Sequence, residues 1–91
     1  MSLVHDMLPH ALESLEDVLR TNEPQKRGDW RRKTLLELLT HASVHLTQTR
    51  LFLVNNVPPS VEMAGHTFDE HLEHAFCRLA MAVQRRAEDR R

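Results

Sequence analysis

Apolar residues recur along most of the chain at intervals of three and four, the spacing that places side chains on one face of an α-helix. After Pro9, which suits the first turn of a helix, such a stripe predicts a helix over about 9–20. Pro24 and Gly28 interrupt the pattern and indicate a loop over 21–29. The residues of this first stripe are Ala11, Leu12, Leu15, Val18 and Leu19.

Two longer stripes follow, and a capping box precedes each. Thr34 with Glu37 stands before the first, and Thr67 with Glu70 stands before the second. In a capping box the hydroxyl and the carboxylate each satisfy a backbone N–H group at the start of a helix. The apolar positions of the two stripes are Leu35, Leu39, Ala42, Leu46 and Leu53, then Phe68, Leu72, Ala75, Phe76, Leu79 and Val83.

These patterns predict one all-α domain over 1–91. Its main feature is a long antiparallel hairpin of helices over about 33–55 and 68–88. The short helix described above precedes the hairpin, and residues 1–8 are predicted to form a leader. The loop between the two long helices contains Pro58-Pro59, which prevents either helix from continuing through it.

Composition narrows the class of protein. Hydrophobic residues make up 41% and charged residues 27% of the chain, which is typical of a soluble globular domain. No apolar run approaches the roughly 20 residues of a membrane span, so we expect no membrane association and a cytoplasmic protein. Cys77 is the single cysteine, which excludes an internal disulfide. The 12 basic and 13 acidic residues argue against generic DNA binding.

The short length predicts self-association. A chain of 91 residues buries only about 60–65% of its unfolded surface, and its core is thin. The two long helices present wide apolar faces that the first helix is too short to cover. We therefore expect a homo-oligomer, with a dimer as the first hypothesis.

The chain contains seven histidines and only two lysines, and four of the histidines lie in same-face pairs on the long helices. His41 and His45 are four residues apart, and His71 and His74 are three apart. These spacings suit pairs of imidazole ligands on a divalent metal such as Mg²⁺, Mn²⁺ or Zn²⁺. They also suit solvated helix flanks or rings that contact a nucleotide, and all three readings stay open.

The hairpin register bears on whether the two pairs share one site. If Asn55 pairs with Phe68, His45 lies opposite Arg78. The two histidine pairs are then offset by about seven to eight residues, which is roughly 11 Å along the helix axis. We therefore expect each pair to be completed by another element rather than by the other pair. His66 lies in the predicted loop, and no role is predicted for it.

Two further groups carry candidate chemistry. Glu73 lies beyond the first turn of the last helix, which makes it a candidate metal ligand or base. Lys26, Trp30 and Arg31 belong to a basic loop that could hold phosphates and stack a base. The alternative for this loop is a solvated segment in which Trp30 closes the end of the core.

The order of these segments resembles a family of small helical phage and bacterial dATP/dGTP diphosphohydrolases. The resemblance covers about 8–84 and depends on LPHALESLEDVL, GDWRR, LLTHASVHL and EHLEHAFCRLAMAV. Its closest element is the sequence His71-Leu72-Glu73-His74-Ala75, followed by Trp30. The family usually carries a carboxylate-rich stretch between its last two helices, of which only Glu62 and Gly65 remain here.

The resemblance implies a metal-dependent nucleotide pyrophosphohydrolase acting on purine deoxynucleotides in a host cytoplasm. It places Glu73 as the catalytic carboxylate with His71 and His74 at the metal, and it implies weak activity because family carboxylates are missing. The alternatives are a non-catalytic phage protein that captures a nucleotide signal or a host protein, and a helical assembly module. An enzyme of this class needs about three or four converging acids, more than this hairpin offers.

Overall fold

A computed structural model describes the backbone of residues 3–26 and 29–90 and the side chains of residues 3–21 and 30–90. Within these residues four α-helices follow one another, and a short 3₁₀ helix precedes the third. The all-α prediction of a long helical hairpin behind an N-terminal helix is confirmed. The helices are α1 Leu3–Met7, α2 Pro9–Lys26, α3 Leu35–Val54 and α4 Phe68–Asp89, and the 3₁₀ helix is Asp29–Arg32.

Both long helices begin at the capping boxes that the sequence predicts. The Thr34 hydroxyl accepts from the backbone N–H of Glu37 at 3.1 Å, and the Glu37 carboxylate accepts from the Thr34 N–H at 3.0 Å. Thr67 and Glu70 make the same reciprocal pair at 3.4 and 2.8 Å. These local bonds fix where each helix starts, independently of the packing between helices.

The N-terminal part is more helical than the sequence predicts. Within the segment predicted as a leader, residues 3–7 form α1, and α2 continues past its predicted end at about 20. Arg20 forms ion pairs with Glu16 at 3.0 Å and Asp17 at 3.2 Å, one turn earlier, and such pairs support a continued helix. Pro24 falls in the last turn of α2, where it has no N–H to donate to the carbonyl of Arg20, one turn earlier.

The core lies where α2 and α3 both pack against α4. Leu38 is completely buried there, next to Cys77 and Met81. The partly buried side chains around this cluster are Leu15, Val18, Leu19, Trp30 and Leu35. Within the described residues, no helix is both long enough and apolar enough to cross a membrane.

Candidate functional site

Four histidine rings come together where the loop between α3 and α4 meets the two helices. His45 comes from α3, His66 from the loop, and His71 and His74 from the start of α4. Five of the ring pairs have centroid separations between 5.0 and 5.6 Å. We call these four residues the histidine cluster.

A chain of hydrogen bonds fixes two of the four rings. His71 is 1% exposed, and its Nε2 lies 2.6 Å from the carbonyl oxygen of Met63. A carbonyl can only accept, so His71 Nε2 carries a proton and the Nδ1 of the neutral ring is an acceptor. The Nδ1 of His45 lies 2.9 Å from that acceptor and therefore donates to it. The Nε2 of His45 then keeps its lone pair.

A tight turn in the loop places Met63 and His66 on the cluster. The backbones of these two residues pair with each other at 2.9 and 3.2 Å across Ala64-Gly65. Both turn residues have positive φ, 52° and 85°, which identifies a two-residue hairpin turn. Gly65 adopts this conformation freely, whereas Ala64 is strained by about 1 kcal/mol. Backbone strain of this kind is found where a structure holds functional groups in place.

His66 has a polar atom without a partner. Its Nδ1 is buried and makes no hydrogen bond within the described part of the chain. The nearest carboxylate oxygen, Oε1 of Glu70, lies 4.0 Å away and already accepts from the Thr67 N–H. The hydrogen bonds from Thr67 also lower the pKa of Glu70, which keeps it ionised. A buried nitrogen left unpaired is costly, and the Glu70 carboxylate is the nearest group that could pair with it.

The cluster holds His45 in its neutral form. Burial lowers the pKa of His45 to about 4, and the charges of His74, His71, His66 and Arg78 add to the effect. At neutral pH its ring therefore carries no charge. A neutral imidazole has the free lone pair that a metal ion needs.

This pKa predicts a dependence of stability on pH. The folded pKa of His45 is about 4 and its usual value is 6.5, so between these values the unfolded chain binds the additional proton. Stability should therefore fall as the pH drops below about 6.5, by roughly 1–2 kcal/mol once solvent screening of this partly exposed ring is considered. Urea unfolding at pH 7, 6 and 5 measures the effect above the main titration of the carboxylates. His45→Gln should flatten this part of the profile, and an unchanged slope would contradict the assignment.

The cluster contains three of the four predicted metal ligands. His45, His71 and His74 come together, while His41 lies one turn, about 6 Å, earlier on α3. The fourth ring is that of His66. The loop position of His66 gave no periodic signal, although His66, Glu70 and His74 recur at intervals of four residues.

The predicted separation of the histidine pairs is wrong for His45. Its ring contacts both His71 and His74, with centroids 5.2 and 5.1 Å away. The reason is the register of the hairpin, in which Phe68 packs edge-on against Phe52 at 5.8 Å rather than pairing with Asn55. The loop folds back far enough for α4 to begin three residues deeper along α3 than predicted.

The carboxylate beside the cluster is Glu70 rather than Glu73. At 100° per residue, Glu73 lies about 100° from His74 and about 160° from His71 around the axis of α4. Glu70 is only about 40° from His74 on the same scale. The structure therefore does not bring Glu73 to the histidines, and its catalytic role stays a prediction.

Two of the three predicted nucleotide residues, Trp30 and Arg31, have partners within the fold. Trp30 is half-buried against the core, and the guanidinium of Arg31 lies 4.6 Å from its ring centre. Arg31 also pairs with Glu88 at 3.1 Å. Arg85 donates to the backbone carbonyl of Arg31 at 2.7 and 2.8 Å. Lys26 ends α2, and its side chain lies outside the described residues.

This arrangement sets the Trp30 region and the histidine cluster at opposite ends of α4. Glu88, which binds Arg31, is 17 positions beyond His71, or about 25 Å along the helix. The structure does not combine the predicted nucleotide residues and the predicted metal residues into one site. The contacts of Trp30 agree with the alternative in which its ring closes the end of the core.

Comparison of the chain with protein-family models, curated proteins and solved structures finds no match in any of the three. The resemblance to dATP/dGTP diphosphohydrolases therefore stays a prediction. Inference about function depends on the geometry of the chain itself.

Proposed function

We propose that this protein binds a divalent transition metal through the histidine cluster. The observation that carries the proposal is the spacing of the rings, whose centroids lie 5.0–5.6 Å apart in five pairs. Four imidazoles around a tetrahedral metal, with metal–nitrogen distances of about 2.0–2.1 Å, place their centroids about 5 Å apart. The folded chain thus gathers four imidazoles at nearly the separation that coordination requires.

The groups around two of the rings indicate which nitrogen of each would bind the metal. Ligating histidines usually donate their second N–H to a carbonyl or a carboxylate, which orients the ring. His71 meets this requirement through Nε2–H and the Met63 carbonyl, so its donor to the metal is Nδ1. For His66 the nearest such group is Glu70, whose Oε1 lies 4.0 Å from Nδ1, beyond hydrogen-bond distance. If the ring moved closer so that Nδ1–H donated to Glu70, Nε2 would be its donor to the metal.

Coordination requires a small rearrangement of these rings. As they stand, no three His, Cys, Asp or Glu side chains in the described part of the chain meet the donor geometry of a bound ion. The two Nδ1 atoms of His45 and His71 share a proton at 2.9 Å, whereas two donors on a tetrahedral metal are about 3.3 Å apart. For both Nδ1 atoms to bind a metal, the proton between them would move to Nε2 of His45, and the two rings would separate by a few tenths of an ångström.

The donor set favours Zn²⁺ over Mg²⁺ or Mn²⁺. Imidazole nitrogens suit zinc, copper, nickel and iron, whereas magnesium and manganese prefer oxygen ligands. Four imidazoles also fill a tetrahedral shell and leave no position for a reactive water, which is the pattern of structural rather than catalytic zinc. The geometry thus favours a metal-binding module, closer to the non-catalytic alternative than to a hydrolase.

The nucleotide hydrolase hypothesis has less support from this arrangement. Trp30 and Arg31 lie far from the cluster along α4, and Glu73 points to a different side of the helix from His71. Release of pyrophosphate from dATP or dGTP in the presence of Mn²⁺ or Mg²⁺, lost in Glu73→Gln, would favour the hydrolase over the metal-binding module.

Cobalt titration tests the metal proposal, because Co²⁺ in a tetrahedral nitrogen site absorbs strongly in the visible range. We expect one equivalent to bind and to be displaced by Zn²⁺. His74→Ala should weaken binding by at least tenfold, since removal even of groups that only orient a ligand costs 10–100-fold. His74 is chosen because it is less buried than His71, so the variant should still fold.

Two matched variants serve as controls. His10→Ala removes an exposed imidazole on α2, and His41→Ala removes the predicted ligand one turn before His45. Both should bind cobalt as tightly as the unchanged protein. Equal binding by His74→Ala, or an octahedral spectrum in the unchanged protein, would overturn the proposal.

A further inference from the structure

One face of α4 carries an apolar seam that the described part of the chain leaves largely uncovered. Its residues alternate at intervals of four and three, which is the repeat of a helix that packs lengthwise against another helix. Leu79 is 43% and Val83 71% exposed. The apolar members of the seam are Leu72, Phe76, Leu79 and Val83.

The seam lies apart from the contacts that α4 makes with α2. Cys77 and Met81, which belong to the core that α2 covers, are about 160° around the helix from Leu79. On the side of α3 the seam continues into a groove, in which Leu39 lies beside Leu79 and Val83. The open surface therefore spans both helices of the hairpin.

Charges continue the same seam at both ends. Asp69 precedes it by three residues at the start of α4, and Arg86 and Arg90 follow it at the end. None of these three side chains has an ion-pair partner among the residues that the structure describes. The seam is thus acidic at one end, apolar in the middle and basic at the other.

We propose that a second copy of this chain docks on the seam, with the two α4 helices antiparallel. Read in the opposite direction, the seam presents Arg90 where the first copy presents Asp69. Leu79 then meets Leu79 of the second copy on the two-fold axis. A two-fold interface brings one patch against itself, so the patch must complement its own reversed copy. In this register Asp69 faces Arg90 and Phe76 faces Val83, while Leu72 faces Arg86, whose methylene chain can cover an apolar side chain.

The charges are what identify the occupant as a second copy. An apolar partner of another kind would satisfy Leu72 and Val83 but would leave the acidic and basic ends unmatched. In a parallel arrangement Asp69 would meet Asp69 of the second copy, and like charges across an interface are repulsive. Both the spacing and the order of charges therefore favour the antiparallel dimer, and its formation does not depend on metal binding.

Sedimentation equilibrium of the full chain tests the proposal. We expect a mass of about 21 kDa, twice the 10.6 kDa of one chain, at micromolar concentration. Leu79→Lys brings two ammonium groups together on the axis and should weaken association at least 100-fold. Val44→Lys is the matched control, because Val44 is exposed and lies about 140° around α3 from Leu39. This variant should associate as strongly as the unchanged protein.

A charge exchange tests the antiparallel register. Asp69→Arg and Arg90→Asp should each weaken the dimer several-fold, because each places like charges opposite one another. The double variant should restore association to within about twofold, since the pair is exchanged rather than broken. Circular dichroism verifies that each variant is folded. A monomer at all concentrations, a dimer insensitive to Leu79→Lys, or no rescue in the double variant would overturn the proposal.

Discussion

Zinc at a thousand times its dissociation constant is expected to raise the free energy of unfolding by about 4 kcal/mol. The four histidines come from α3, the loop and α4, and only the folded chain brings them together. The unfolded chain therefore binds the ion more weakly, and the difference appears as stability. For so small a domain this gain is comparable to the whole stability of the metal-free fold.

Thermal and urea unfolding with and without zinc measure this effect, and a chelator should reverse it. His74→Ala should lose most of the gain, whereas His10→Ala should keep it. At pH 5 the gain should shrink in the unchanged protein, because protons compete with the metal for imidazole nitrogens. A zinc effect of equal size in all variants would point to binding outside the cluster and would contradict the assignment.

The parts of the fold that sequence predicts well are those fixed by nearby residues. The two capping boxes set the starts of α3 and α4, and each involves residues only three positions apart. The 3.6-residue periodicity predicts that the two long helices exist but not which face each of them buries: Leu46 and Leu53 of the predicted α3 stripe are 45% and 67% exposed, and Val83 of the α4 stripe is 71% exposed. Both signals come from residues that are close in sequence, so they can be detected without knowledge of the tertiary structure.

The site was predicted only in part because its assembly is not local. His71 and His74 share a helix face, and that is visible in the spacing. The contact of His45 with both depends on the hairpin register, which a three-residue shift of Phe68 along α3 decides. The entry of His66 depends on the turn at Ala64-Gly65, and nothing in an apolar pattern reports where a loop folds back.

Phe52 connects the register of the hairpin to the histidine cluster. Its ring is 1% exposed and packs edge-on against Phe68 at 5.8 Å. The ring of His71 lies 6.2 Å from the Phe52 ring. The carbonyl of Phe52 also accepts from the N–H of Val57 at 2.9 Å, where the loop begins. The Phe52 side chain therefore supports the hairpin register and one wall of the cluster, while its backbone carbonyl holds the start of the loop.

Phe52→Ala is accordingly expected to lower the free energy of unfolding by about 3–5 kcal/mol, through lost burial and the cavity left behind. Because that loss approaches the total stability of a small domain, Phe52→Leu provides a milder test at less than about 1.5 kcal/mol. The Leu variant should also bind zinc more weakly, since the ring that positions His71 is gone. Val54→Ala, a truncation two residues away at a position 71% exposed, should change stability by less than about 0.5 kcal/mol. Urea unfolding with a zinc titration of each variant measures both effects. A Phe52→Leu protein that loses stability yet binds zinc normally would show that the cluster holds its geometry without this wall.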